Sequence, residues 1–118
     1  MFVKMKKAKK DVVAYNIKGK ITHTDYEKLI PKVEKVIEEF GKVKFLVDIT
    51  GFETFTMEAM MDDGKFFLKH NKDISKIAII GNNKLEEMLM KFSDFVTPGE
   101  MKYFDSEDID DAWKWIEG

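Results

Sequence analysis

The sequence predicts one α/β domain, a mixed five-stranded sheet with four helices in the order β-β-α-β-α-β-α-β-α. Strand-like and helix-like hydrophobic patterns alternate from end to end, and no linker or repeat divides residues 1–118. The run Ile77–Ile80 is continuously apolar and ends at Gly81, which is typical of a central parallel strand. Two strand patterns with a short connection precede the first helix pattern, so the first strand is predicted to be an antiparallel edge.

The first half of the chain contains three predicted strands and one helix. The strands are Phe2–Lys7, Val12–Lys18 and Val43–Ile49. The helix pattern starts at the capping box Thr24–Glu27 and runs to about Phe40, where Gly41 stops it. Pro31 lies inside that pattern, so we expect it to kink the helix or to mark its effective start.

The second half supplies the remaining elements. Thr56 is the predicted N-cap of the second helix, whose apolar stripe is expected to face the core. A third helix is predicted around Leu85–Phe92, followed by a short strand at Met101–Phe104. Ser106 is the predicted cap of a last helix, and the expected inner face of that helix is Ile109, Ala112, Trp113 and Ile116.

Composition narrows the functional classes. The chain has no cysteine, which excludes disulfides, thiolate metal sites and cysteine nucleophiles. The formal net charge is −2 and every basic residue is lysine, so the arginine fork that grips phosphates and guanine edges is missing and nucleic-acid binding is not predicted. The first residues lack the apolar segment of a signal peptide, and we expect a cytoplasmic protein.

No constellation of catalytic residues is visible in the sequence. His23 and His70 show no metal-ligand spacing, and Asp48 at a strand end has no identifiable partner. We therefore predict a protein that is not an enzyme and that has no cofactor and no metal.

An ordered series of short motifs resembles the SpoIIAA-like branch of the STAS domains. The series covers nearly the whole chain and consists of Gly19–Ile21, Asp25–Pro31, Phe45–Asp48 with Gly51–Phe52, Asp63–Phe66 with Lys69–His70, Ile77–Gly81, and Tyr103–Asp105 with Ala112–Trp115. The resemblance implies a mixed five-stranded sheet with four helices and a non-enzymatic role.

The better-known anti-anti-sigma members of STAS carry an Asp-Ser-Ser-Gly-like turn at the start of the second helix. Phosphorylation of its hydroxyl breaks their binding to a partner kinase. The corresponding stretch here is Thr54–Ala59, which lacks the motif, so we do not carry the phosphoswitch over. Thr54 and Thr56 are the only hydroxyls near that place, and helix capping already explains Thr56.

A cluster of methionine and phenylalanine marks the second helix and the segment before it. Methionine is adaptable and suits surfaces that accept varied apolar partners. The ordinary interpretation is a Met-rich core, and the functional one is a cover over an apolar pocket or a face for lipid. The candidate ligand or partner surface is Phe52, Phe55, Met57, Met60, Met61, Phe66 and Phe67, of which the three methionines are expected to face inward and Phe66 to lie off their stripe.

Our leading prediction is therefore a STAS-like regulatory or protein-interaction domain whose partner protein is unknown. The alternative is a domain that binds a small hydrophobic ligand, or that associates peripherally with a membrane, through the same second helix. Lysines among the first ten residues could touch acidic lipid, but on an edge strand they also discourage sheet-to-sheet pairing. Trp115 is expected at the margin of the last helix, which leaves a homodimer open.

Overall fold

The sheet of the computed structural model has five strands whose spatial order, β1-β2-β3-β4-β5, is also their order in the chain. The structure describes residues 1–5, 10–82 and 100–118. β1 pairs antiparallel with β2, and the other three pairings are parallel. The prediction of a mixed sheet with an antiparallel edge is confirmed. The strands are β1 (Phe2–Lys4), β2 (Val12–Ile21), β3 (Val43–Phe55), β4 (Ile74–Gly81) and β5 (Glu100–Asp105).

Three α-helices lie within the described ranges, where four were predicted for the chain. They are α1 (His23–Phe40), α2 (Met57–His70) and α3 (Ile109–Glu117), with short 3-10 turns at Asn71–Asp73 and Ser106–Asp108. The helix predicted around Leu85–Phe92 falls outside the described residues. The order of the described elements otherwise follows the prediction.

Alternation along the strands divides the core into two layers. One layer joins Ala14, Leu46 and Ile80 of the sheet to Trp113 and Ile116 of α3. The other layer places Val13 and Tyr15 of β2, together with Val43 and Ile74, against α1 and α2. Trp113 is buried as predicted. Trp115 packs on Phe104 of the edge strand β5, with ring centroids 6.0 Å apart.

The first helix begins earlier than predicted. Thr22 is the N-cap: its hydroxyl accepts from the Asp25 backbone N–H, while the Asp25 carboxylate accepts from the Thr22 N–H at 2.9 Å. The predicted box at Thr24–Glu27 is wrong because aspartate at the third helical position already closes the reciprocal bonds two residues sooner. α1 runs through Pro31 and ends at Gly41, which adopts φ 77°.

β2 and β3 both run further than predicted, because they continue to pair with each other. Lys18 lies opposite Gly51, and Ile21 lies opposite Phe55. The register shifts between Asn16 and Lys18 and again after Gly19, whose φ of 64° suits glycine. The residues between the predicted end of β3 at Ile49 and the start of α2 therefore belong largely to the strand.

Candidate functional site

Thr56 caps α2 as predicted. Its hydroxyl accepts a hydrogen bond from the Ala59 N–H at 3.1 Å, which satisfies one of the free amides of the first turn. Thr54 is exposed at the end of β3, and its hydroxyl donates to the Phe55 carbonyl at 3.4 Å. A role for either hydroxyl as a phosphorylation switch stays a prediction.

The orientation of α2 differs from the predicted one. Met57, Met60 and Met61 point outward, with 82%, 60% and 60% of their surface exposed, and Leu68 is 78% exposed. The inner face instead carries Ala59, which is fully buried, with Asp63, Phe66 and His70. The expectation that the methionines face the core and that Phe66 does not is wrong. The polar members of the inner face, Asp63 and His70, find partners on α1.

Beneath α2 lies an apolar cavity of about 340 Å³. It is lined by side chains of α1, of α2 and of the sheet face on which these helices pack. Phe45 and Val47 of the central strand β3 line it and remain only half-buried, although two helices lie above them. The space is partly open to solvent, so it is an apolar cleft between the helices and the sheet and not an enclosed void in the core. Other lining side chains come from β4, α1 and α2, namely Ile77, Ile79, Leu29, Val33 and Phe66.

One ionisable pair lies at the wall of the cavity. The Tyr26 hydroxyl of α1 donates to Oδ1 of Asp63 on α2 at 3.1 Å. Asp63 lines the cavity and is an exposed residue, although neighbouring protein atoms partly desolvate its carboxylate. Burial raises the pKa of the Asp63 carboxyl, and the hydrogen bond from Tyr26 opposes that rise. Burial and the neighbouring Asp63 charge raise the pKa of Tyr26.

Polar contacts also tie α2 to α1 near the start of α1. His23 Nδ1 lies 2.5 Å from Asp62 Oδ2, and Nε2 lies 2.5 Å from Glu27 Oε1. Two carboxylates can both be satisfied only when both ring nitrogens carry hydrogens. The hydrogen bond to Asp62 is the main cause that raises the pKa of His23.

A second tie joins the far end of α2 to the middle of α1. His70 Nε2 lies 2.8 Å from Glu34 Oε2, and Lys69 Nζ donates to the same oxygen at 3.0 Å. The other ring nitrogen of His70 lies 3.0 Å from Asp73. These hydrogen bonds lower the pKa of Glu34. Both histidines thus serve helix contacts, and the described residues contain no group of acidic and histidine side chains arranged to hold a metal.

The carboxylate of Asp48, which was considered for catalysis, forms hydrogen bonds with a residue two positions away. Its Oδ1 accepts from both the backbone N–H and the hydroxyl of Thr50, at 2.9 and 2.6 Å. This is a turn-forming arrangement rather than a free acid or base.

The comparisons with known proteins agree with this architecture. The family model described as SpoIIAA-like matches residues 12–117. The chain belongs to the SpoIIAA-like family. The match indicates no catalytic family. Comparison with curated proteins found no match.

Two solved structures resemble this SpoIIAA-like chain over nearly its full length. An uncharacterized protein of the DUF3478 family from Shewanella loihica PV-4, described as having a SpoIIAA-like fold, is 34% identical with a TM-score of 0.78. The alignment covers 98% of this chain and 92% of that one. The anti-sigma factor antagonist SpoIIAA in its unphosphorylated form is 11% identical with a TM-score of 0.62, over 97% and 98% of the two chains. This second likeness shows the STAS-type fold alone.

The predicted surface residues divide into two groups in this SpoIIAA-like domain. Phe55 and Phe66 line the cavity, and Phe52 packs on Phe55 with ring centroids 4.7 Å apart. Phe67 is partly buried against the core under α2, whereas the three methionines lie on the outside. Asp63 and Tyr26 were not predicted as site residues. The signal for Asp63 was its spacing, since it lies four residues after Ala59 and three before Phe66 on one helix face.

No helix in the described part of the chain is long and apolar enough to cross a membrane.

Proposed function

We propose that this domain binds a small, largely apolar molecule in the cavity between the sheet and the helices α1 and α2. The observation that carries the proposal is a partly open, apolar space of about 340 Å³ between the sheet and the two helices. Sites for small molecules typically measure roughly 300–1,000 Å³ and combine apolar walls with a few polar groups. The geometry therefore favours the ligand-binding interpretation for the interior of the domain.

The half-buried state of the sheet residues supports the same conclusion. Phe45, Val47 and Ile77 lie on central strands and keep accessible surface that faces the cavity. Each methylene of a ligand that covers such surface would contribute about 0.8 kcal/mol. A ligand would also restore the dispersion contacts that the lining side chains lack.

The test is a titration of isotope-labelled protein with octanol, followed by the backbone amide resonances. Binding in the cavity predicts saturable shifts at Phe45, Val47 and Ile77. Native mass spectrometry of gently purified protein would then search for the natural ligand. As a control, Met60→Gln alters the exposed side of α2 and should leave the octanol shifts unchanged. Shifts confined to the outer methionines, or no saturable shifts, would contradict the proposal.

A second candidate function, interaction with a protein partner, is favoured by the outer side of α2. Met57, Met60, Met61 and Leu68 form an exposed apolar stripe with Gly64 at its centre, where an added Cβ would meet nothing within 4 Å. Contiguous exposed apolar surface of this kind is typical of interaction sites. This stripe supports our leading prediction from the sequence, a regulatory interaction domain, with the contact on the helix itself.

The partner interpretation is tested by photo-crosslinking from position 60 in host cells. One discrete crosslinked protein is expected in the wild type, and its loss is expected in Leu68→Lys. The cavity variant Val47→Phe should leave that product in place. A diffuse ladder of products, or a product that Leu68→Lys does not affect, would argue against an interface here. Charge reversal at Asp62 is unsuitable because Asp62 binds His23.

A further inference from the structure

Few polar side chains line the cavity. Among the described residues that line it, Asp63 carries the only carboxylate, and none carries a positive charge. The other polar side chains are the tyrosines Tyr15 and Tyr26. An apolar space with one acidic group and no basic group favours a cationic ligand over an anionic one.

The two oxygens of the Asp63 carboxylate differ in their surroundings. Oδ1 accepts the Tyr26 hydroxyl hydrogen at 3.1 Å. No described residue donates to Oδ2. Oδ2 of Asp63 therefore keeps its acceptor capacity for a donor that arrives with a ligand in the cavity.

We infer that the ligand is an apolar molecule that bears a primary amine, whose ammonium group binds Oδ2 of Asp63 while its hydrocarbon part fills the cavity. The inference rests on the proposed function. An ammonium group supplies both the hydrogen-bond donor and the opposite charge, and Tyr26 keeps the carboxylate oriented from the other side. An anionic amphiphile such as a fatty acid would bring a second negative charge beside Asp63, with no cation among the lining residues to offset it.

Three probes with the same hydrocarbon chain test this inference: octylamine, octanol and octanoate, titrated at neutral pH against the full chain by calorimetry and amide shifts. We expect octylamine to bind about tenfold more tightly than octanol, as a charge-assisted hydrogen bond contributes, and octanoate to bind most weakly. In Asp63→Asn the advantage of octylamine over octanol should disappear. The variant is isosteric and keeps an oxygen to accept from Tyr26, so folding should be retained.

Glu58→Gln is the matched control, because it removes a carboxylate from the exposed first turn of the same helix. It should preserve the order of the three affinities. If octanol binds the wild type as tightly as octylamine, or if Asp63→Asn keeps the amine preference, the inference about the ligand is wrong and the cavity remains a binding site. If none of the three probes binds, the proposed function falls with it.

Discussion

Val47 gives a direct test of whether the space under α2 is unfilled. It lies on the central strand β3 and lines the cavity with a half-buried side chain. Its chain neighbour Leu46 points to the opposite face, where it is fully buried against the α3 layer. The substitutions Val47→Phe and Leu46→Phe therefore insert the same aromatic ring one residue apart, into empty space and into packed core respectively.

The expected magnitude follows from the carbon atoms that each change adds. Burying the extra carbons of Val47→Phe, at about 0.8 kcal/mol per methylene, sets an upper bound of about 3 kcal/mol. The wider ring must fit an existing shape and loses rotamer freedom, so we expect a gain of about 1–2 kcal/mol in the free energy of unfolding. Leu46→Phe should instead lose about 1–3 kcal/mol, which is the usual cost of overpacking.

The assay is urea unfolding followed by far-ultraviolet circular dichroism, with the m value required to stay constant between variants. Thermal unfolding gives an independent measure, since about 1 kcal/mol shifts Tm by roughly 4 °C in a domain of this size. Val47→Phe should also abolish the octanol shifts, whereas Leu46→Phe should keep them wherever it is folded. Destabilisation of Val47→Phe by more than about 1 kcal/mol would refute the cavity argument, because a filled core is what resists enlargement.

Two further predictions concern glycine and histidine. Gly81→Ala would place a Cβ 2.8 Å from the Tyr103 hydroxyl oxygen, so we expect a loss of about 1–3 kcal/mol in urea unfolding. Gly64→Ala meets nothing within 4 Å inside α2 and should instead gain about 0.5–1 kcal/mol; equal effects of the two changes would contradict this. His23 has a native pKa raised above its ordinary value of 6.5, so its bond to Asp62 contributes stability fully below that value and loses it as pH rises through the native pKa. His23→Gln should therefore differ most from the wild type at acidic to neutral pH, and a difference that grows towards alkaline pH would contradict the assignment.

The layers of the fold were accessible from the sequence because hydrophobic alternation is a local property. Ile77–Ile80 reads as a buried central strand, and the structure places it there. Thr56 reads as a cap because its hydroxyl is followed at the right spacing by a helix pattern. The ends of β2 and β3 were not accessible, since those residues are held by pairing with each other across the sheet.

The cavity and the orientation of α2 could not be predicted from the hydrophobic pattern of the sequence. Counting apolar residues selects the stripe of Met57, Met61 and Leu68, which the structure exposes. The face of α2 that packs inward in the structure contains Asp63 and His70. Their partners lie on α1, about 36 positions earlier in the chain. Which charged side chains will find such partners depends on the distance between two helices, and spacing within one helix does not encode it.

The agreement between strand order in space and order in the chain bears on how the domain assembles. Each strand hydrogen-bonds to the one that precedes it, so the sheet can grow from β1 to β5 without threading a strand between two already paired. Every parallel pairing joins strands that are consecutive in the chain, so each one closes a single crossover. An intermediate that has assembled β1 to β3 with α1 would already contain the cavity lining that these elements supply. The docking of β4 and α2 would then complete the cavity.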